Sequence, residues 1–448
     1  MRTLAWFFSL GLALGPAATA GEERIPHELY RLPNGLTVIL HEDHRLPLVV
    51  VDVWYRVGAK DERPGRTGLA HLFEHLMFMG TARAPSFDQP MEAVGGWNNA
   101  STNEDRTNYF SVGPAHTLPL LLWLEADRLE ALGRGMSPDK VGLQRDVVRN
   151  ELRQGYENRP YSLAWLQIPG ALWPAGHPYA HPVIGSHADL EAVDADEVRA
   201  FFYRHYTPSN ASLVVAGDFE PGEARRLVEA YFGPLPAGPA PEPVRAGELA
   251  PLAARRLTVP DRVPLPQLLM LWRSPALYQP GDAELDALAG VLSQGKASRL
   301  VRRLVQEERL ASEVQAYQSS GLLGSSFVIA AKALPGHALS ELEAAIDGEL
   351  AALRSSGPTA EELERARNRR ETAFVRGLEP LFARADQLNA YLFYRGTPDY
   401  LAADLARYRG LEPAGVLAAA RQALAPEWRL IVEIVPAGEA APPAGGAP

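Results

Sequence analysis

The stretch His71-Leu72-Phe73-Glu74-His75 places two imidazoles and one carboxylate within five residues. If this stretch is helical, side chains four positions apart lie one above the other, so His71 and His75 can direct ring nitrogens at the same metal ion. Glu74 lies on the same side of the helix, offset from the histidine pair. Hydrolytic zinc takes three protein ligands and leaves one position for water, which a neighbouring carboxylate can deprotonate. The pattern therefore predicts two zinc ligands with a base beside them.

The residues around this stretch predict that it is helical. Residues 65–68 contain two glycines, apolar residues recur at helical spacing from Leu69 to Met77, and Gly80 follows Met79 where a C-terminal cap is expected. A buried amphipathic helix with two core histidines would show the same local pattern. A third ligand elsewhere in the chain would distinguish a metal site from such a core helix.

A third ligand is expected on a separate helix, because two histidines alone do not hold catalytic zinc. Ser137 and Pro138 are typical of the start of a helix, which would extend to Glu151. The order H-x-x-E-H is the inverted zinc-peptidase motif. With a glutamate at this distance downstream, the chain resembles the pitrilysin/insulinase family of zinc metallopeptidases.

The resemblance implies a function for each residue of the motif. His71, His75 and Glu151 would hold one Zn²⁺ per chain, and Glu74 would activate the water that attacks a peptide bond. The family uses this chemistry to hydrolyse peptides or unfolded polypeptide segments. Some relatives have lost part of the motif and only bind peptides or support assembly, so a non-catalytic subunit is the alternative. All four motif positions are intact in this chain.

Two further segments resemble the same family, which extends the resemblance from about Leu32 to Pro436. Its substrate-edge segment corresponds to residues 95–102 with Asp105, Thr107 and Tyr109, and its end-of-domain signature to residues 202–218. The family binds an extended peptide by adding it as a strand to this edge, through backbone hydrogen bonds. The residues that would contact substrate here are Asn99, Ala100, Ser101 and Tyr109.

Gln144 marks one departure from the family pattern. Family members usually carry a second glutamate seven positions before the ligand glutamate, and here that position is Gln144. Glutamine keeps the length and a hydrogen-bonding carbonyl but holds no negative charge. We expect Gln144 to orient a zinc-binding histidine as an outer partner, so that zinc binding survives and turnover is tuned.

The length and composition predict two domains. With 448 residues, of which 46% are hydrophobic, the chain can bury substantial cores. Each half opens with strands, continues into helices and closes on a strand, and the family fold is likewise two related α+β halves, each with a mainly antiparallel sheet covered by helices. The predicted segments are a zinc-binding domain at 21–232, a Pro/Ala/Gly-rich linker at 233–251, a second homologous domain without metal at 252–436, and a disordered tail at 437–448.

The start of the chain predicts export. Residues 1–20 combine Arg2, an apolar run and small residues before Gly21, which is typical of a secretory signal peptide. We therefore expect a periplasmic protein without a stable membrane span, although a retained N-terminal anchor is the alternative. The net charge of −10 argues against nucleic acid as a partner.

The second half lacks a pair of residues that the resemblance leads us to expect. Family members carry an Arg and a Tyr there, seven positions apart, which contact substrate across the chamber from the zinc. The register set by Ser298-Arg299-Leu300 places Val305 and Ser312 at these positions. A homologous partner subunit would then supply the pair in a heterodimer, as in the mitochondrial processing peptidase, although a homodimer is possible. A shifted register is the alternative, since nearby candidates exist, namely Arg302, Arg303, Arg309 and Tyr317.

Overall fold

The structure, a computed structural model, describes residues 23–239, 242–247 and 249–438. The predicted signal peptide, and all but the first two residues of the predicted tail, lie outside these residues. In the described part of the first half, six strands form one sheet in the order β1-β2-β6-β3-β5-β4. The strands are β1 Glu28–Arg31, β2 Thr37–Glu42, β3 Leu48–Tyr55, β4 Trp97–Thr102, β5 Thr107–Pro114 and β6 Ala211–Gly217. The helices are α1 Leu69–Leu76, α2 Asp88–Ala93, α3 Leu118–Ala131, α4 Pro138–Leu152, α5 Ile168–Leu172, α6 His187–Ala192, α7 Ala195–His205 and α8 Pro221–Phe232.

The second half forms a five-stranded sheet, counted over its described residues, in the order β7-β11-β8-β10-β9. Its strands are β7 Arg255–Asp261, β8 Gln267–Ser274, β9 Ala311–Ser319, β10 Ser325–Ala333 and β11 Arg429–Pro436. Its helices are α9 Asp282–Ser293, α10 Leu339–Ser356, α11 Ala360–Gly377, α12 Leu381–Arg395, α13 Leu401–Arg409 and α14 Pro413–Ala423. No helix in the described ranges has both the length and the apolar character needed to cross a membrane.

The two sheets repeat one topology. In each sheet the closing strand of the half has a parallel neighbour on one side, β2 beside β6 and β7 beside β11. On its other side the closing strand pairs antiparallel with β3 or β8. All other pairs are antiparallel. The predicted fold class, two related α+β halves with mainly antiparallel sheets, is confirmed.

Each sheet buries one face against helices of its own half and the other face against the opposite half. Helix α12, from the second half, lies on the first sheet, and its residues Ala385 and Leu388 are fully buried against Val50 of β3 and Val214 of β6. In return, Ile168 of α5 and the residues around it pack on the second sheet. Strands covered on both faces are largely apolar, which explains the run of buried residues in β3, where Asp52 is the one charged residue.

Candidate metal centre

Helix α1 is held firmly at its N-terminus. Glu62 accepts hydrogen bonds from the backbone N–H groups of Gly68 at 2.9 Å and Ala70 at 2.7 Å. It thereby satisfies N–H groups at the start of the helix that have no partner within the helix. Gly68 has a φ of 87°, and a Cβ there would lie 2.7 Å from the carbonyl oxygen of Ile184, so only glycine fits. One face of the helix is buried in the core, through Leu69, Ala70, Leu72, Phe73 and Leu76. The opposite face carries the two histidines.

Helix α4 brings the predicted third ligand to the same place. The Ser137 side chain accepts from the backbone N–H of Lys140, and Pro138 occupies the first helical position, as the sequence predicts. Val148 and Leu152 are buried and fix the rotation of the helix, which packs against α1. This rotation turns Glu151 toward the histidines of α1.

The three predicted ligands converge. Oε2 of Glu151 lies 3.3 Å from Nε2 of His75 and 3.8 Å from Nε2 of His71. One donor atom from each residue falls within 4.8 Å of the other two, and the described residues contain no other group of three His, Cys, Asp or Glu with this property. Two imidazole nitrogens and one carboxylate oxygen are a donor set that catalytic zinc accepts. The residues therefore fit the predicted ion.

The protonation of these groups also suits a metal ligand. Burial lowers the pKa of His71 to about 4, which keeps its imidazole neutral near pH 7. The hydrogen bond with His75 lowers the pKa of Glu151, so that its carboxylate is ionised. Metal ligation needs neutral imidazoles and ionised carboxylates, because a proton would occupy the same lone pair.

Glu74 lies beside this cluster and is fixed by a residue of β4. The Thr102 hydroxyl donates to Oε2 of Glu74 at 2.6 Å. Burial raises the pKa of Glu74, which makes it a better proton acceptor than a solvent-exposed glutamate. The sequence does not predict this contact, because Thr102 and Glu74 meet only through the tertiary packing of α1 on β4.

Strand β4 is the free edge of the first sheet. Among the described residues it pairs only with β5, with Ala100 opposite Tyr109. The backbone N–H of Ala100 donates to Oδ1 of Asn99 at 2.8 Å in an exposed hydrogen bond. The segment predicted to bind an extended peptide therefore lies at a sheet edge, next to the strand end that contacts Glu74.

Two predicted residues occupy other surroundings than expected. The Tyr109 side chain is 0% exposed and packs in the core against Tyr55, which contradicts its predicted contact with substrate. Nε2 of Gln144 lies 2.7 Å from Sδ of Met79, and neither His71 nor His75 is among its hydrogen-bond partners in the described structure. Gln144 thus supports the segment after α1 rather than a histidine directly.

Val305 and Ser312, the positions at which an Arg and a Tyr were expected, lie in and after a π-helical segment. Val305 belongs to Val301–Glu307, and Ser312 lies in β9, where its hydroxyl donates to the carbonyl of Lys332 at 3.3 Å. Of the alternative candidates, Arg303 donates to Glu308, while Tyr317 is a partly exposed residue of β9. The predicted register remains a prediction.

Comparison with known proteins agrees with the fold. The model of the family described as insulinase (peptidase family M16) matches residues 37–163, and that of the peptidase M16 inactive domain matches residues 192–370. The zinc protease PqqE of Helicobacter pylori is 29% identical over 389 residues, which cover 84% of this chain and 86% of that protein. An uncharacterized zinc protease of Mycobacterium tuberculosis is 30% identical over 363 residues, covering 80% and 81%.

A solved structure shows the same architecture. The crystal structure of a protease from Helicobacter pylori superimposes with a TM-score of 0.84 at 27% identity, over 92% of this chain and 100% of that one. The two-half α+β fold is the one found in M16-like peptidases. The chain belongs to the pitrilysin/insulinase family, peptidase family M16.

Proposed function

We propose that this chain is a zinc-dependent endopeptidase that hydrolyses peptides or unfolded polypeptide segments. The observation that carries the proposal is the convergence of His71, His75 and Glu151 with Glu74 next to them. Relatives that cover most of the chain are named zinc proteases, which supports the same reaction class. Zinc content of the purified protein, together with cleavage of a mixed peptide pool, tests the proposal against a non-catalytic peptide-binding subunit.

The proposed mechanism assigns the proton transfers to Glu74. When bound by the three ligands, zinc would activate water and polarise the scissile carbonyl. Glu74 accepts the proton of the attacking water and returns it to the leaving amine. Because Thr102 donates to Oε2, the other oxygen of Glu74 is available for this proton. Burial of the carboxylate favours proton uptake at that oxygen.

We assign one zinc site to the chain, in the first half. The described residues of the second half contain no cluster of His and carboxylate donors comparable to that of α1 and α4. The second half also overlaps the match to the inactive-domain model. Residues 1–20 support export to the periplasm as a further part of the proposal.

Substrate would bind by adding a strand to β4. The exposed N–H of Ala100 now donates to the side chain of Asn99, and a peptide carbonyl can replace that acceptor. Ala100→Pro removes this donor, and we expect peptide affinity to fall about tenfold, the effect of one lost hydrogen bond with local distortion of the edge. Binding of a fluorescent peptide to the zinc-loaded Glu74→Gln protein, in which cleavage is blocked, measures this.

Ala100→Ser is the matched control, since it keeps the N–H and adds one oxygen; it should bind peptide as the parent does. Zinc content and melting temperature identify any general damage to the fold. If Ala100→Pro bound peptide as tightly as Ala100→Ser, strand addition at this edge would be the wrong mode of binding.

We further propose that a homologous partner subunit completes the active site. This proposal rests on Val305 and Ser312, neither of which can donate a charged or phenolic hydrogen bond to substrate. We expect the purified chain alone to contain zinc but to cleave peptides poorly, and to gain at least about a hundredfold in activity when mixed with its partner. Activity measured as a function of added partner checks this, with heat-denatured partner as the control. Full activity of the chain alone, as monomer or homodimer, would contradict it.

A further inference from the structure

Asp105 joins the two halves of the molecule through its side chain. It lies in the turn between β4 and β5 and is 2% exposed. Oδ2 accepts from the backbone N–H of Leu322 at 2.8 Å and from the hydroxyl of Tyr394 at 3.1 Å. Leu322 belongs to the turn between β9 and β10, and Tyr394 to α12, so both donors come from the second half.

The other carboxylate oxygen is occupied as well. Oδ1 accepts from the hydroxyl of Tyr179, and the same hydroxyl oxygen accepts from the backbone N–H of Leu323 at 3.0 Å. Burying a carboxylate is costly unless its oxygens are hydrogen-bonded, and here three donors meet that need. A local turn between two strands does not require a buried charge, so this carboxylate serves the contact between the halves.

The turn that carries Asp105 also holds the end of β4. The Asn103 side chain accepts from the backbone N–H groups of Asp105 and Arg106, both at 2.8 Å. Nη1 of Arg106 donates to the carbonyl oxygen of Ser101 at 2.7 Å and to its hydroxyl at 2.6 Å. The next residue, Thr102, donates to Glu74. Hydrogen bonds, together with the peptide bond between Ser101 and Thr102, therefore connect the second half through Asp105 to the edge strand and to Glu74.

We propose that Asp105 is a positioning residue, which fixes the edge strand β4 relative to the second half and so sets how a peptide is seated beside Glu74. The inference rests on the proposed peptidase function for its effect on substrate. Its structural part, the coupling of the second half to β4, stands independently of catalysis.

The test compares two variants that interrupt this coupling at different points. Asp105→Asn leaves a single acceptor oxygen, so that the side chain can no longer accept from all three donors, those of Leu322, Tyr394 and Tyr179. Tyr394→Phe removes only a hydroxyl of the second half and leaves the β4–β5 turn unchanged. In the full zinc-loaded chain, with its partner where activity requires one, we expect faster amide hydrogen exchange in residues 97–102 for both variants, more for Asp105→Asn. The KM for an unstructured peptide should rise about tenfold in Asp105→Asn, with kcat and zinc content changed less than about threefold.

Asp88→Asn is the matched control, because Asp88 accepts from Asn98 of β4 at 3.0 Å but makes no hydrogen bond or ion pair with the described residues of the second half. It should leave exchange in β4 and KM as in the wild type. Unchanged exchange in β4 in both test variants would overturn the inference, and so would faster exchange with an unchanged KM in an active enzyme. If the wild type cleaves nothing with or without partner, the proposed function is wrong, whereas faster exchange in β4 would still support the coupling. An Asp105→Asn protein that does not fold leaves Tyr394→Phe to decide between these outcomes.

Discussion

Glu74→Gln is expected to abolish peptide hydrolysis while leaving zinc bound. Glutamine cannot accept the proton of the attacking water, whereas its carbonyl oxygen can still accept the hydrogen bond from Thr102. The three zinc ligands are untouched, so the ion should remain. Loss of a general base costs about 10²- to 10⁴-fold in rate. The measurement is kcat/KM on an unstructured peptide, with zinc determined by elemental analysis of the same sample.

Glu92→Gln is a suitable control for this variant. Glu92 is an exposed residue of α2, a helix that packs beside β4, so its substitution makes the same chemical change near the site without touching Glu74. It should retain full activity. A Glu74→Gln enzyme that cleaved peptides as fast as the wild type would exclude Glu74 as the base, whatever its zinc content.

The placement of His71 and His75 on one helix face, and the helix that carries Glu151, could be predicted because their signals are local. Helical periodicity alone places His71 and His75 on one face, and the N-cap residue Ser137 sets the start of the helix that ends beyond Glu151. The distance between these two helices in the fold came from the family resemblance. The contact from Thr102 to Glu74 joins residues distant in sequence, and the one from Glu62 to the start of α1 crosses a segment without regular structure, so no periodicity indicates either.

The packing of helices from one half on the sheet of the other half could not be predicted for a similar reason. Ala385, Leu388 and Leu392 form an apolar stripe that predicts a buried helix face. A stripe does not specify its partner, and this one packs on the sheet of the other half rather than on its own. The sequence-based division at residues 233–251 therefore misses the contacts that cross it.

The substrate contact of Tyr109 was predicted from the family resemblance, and the pattern of the strand that carries it could not have excluded that contact. On a strand with one exposed face, successive residues alternate between core and solvent. Every residue of β5 except its last, Pro114, is buried, because helices cover both faces of the sheet there. The sequence of β5 therefore does not indicate which of its side chains could reach solvent or substrate. Asn99 and Ala100, unlike Tyr109, are at least partly exposed, because β4 lies at the edge of the sheet.

His71→Ala should lose both zinc and activity. The substitution removes one of three ligands and leaves His75 and Glu151, which is too few for catalytic zinc. Loss of a hydrogen-bond partner outside the ligand shell lowers metal affinity about 10- to 100-fold, so loss of a ligand should cost more. Alanine favours the helix, and the buried face of α1 is unchanged, so the protein should still fold. Zinc per chain after dialysis against a weak chelator measures the effect.

His44→Ala provides the matched control, because His44 also contacts two carboxylates. Its ring nitrogens lie 2.6 Å from Glu42 and 2.6 Å from Asp218, but each nitrogen contacts a different carboxylate, so the donor atoms do not converge on one point. Zinc content should therefore be unchanged in His44→Ala and lost in His71→Ala. Equal zinc in the two variants would place the ion elsewhere, and retained zinc in His71→Ala with lost activity would mean that the imidazole acts on substrate and not on metal. The convergence of donor atoms, rather than the presence of histidine beside carboxylate, is what distinguishes the candidate metal centre from a surface ion pair in this protein.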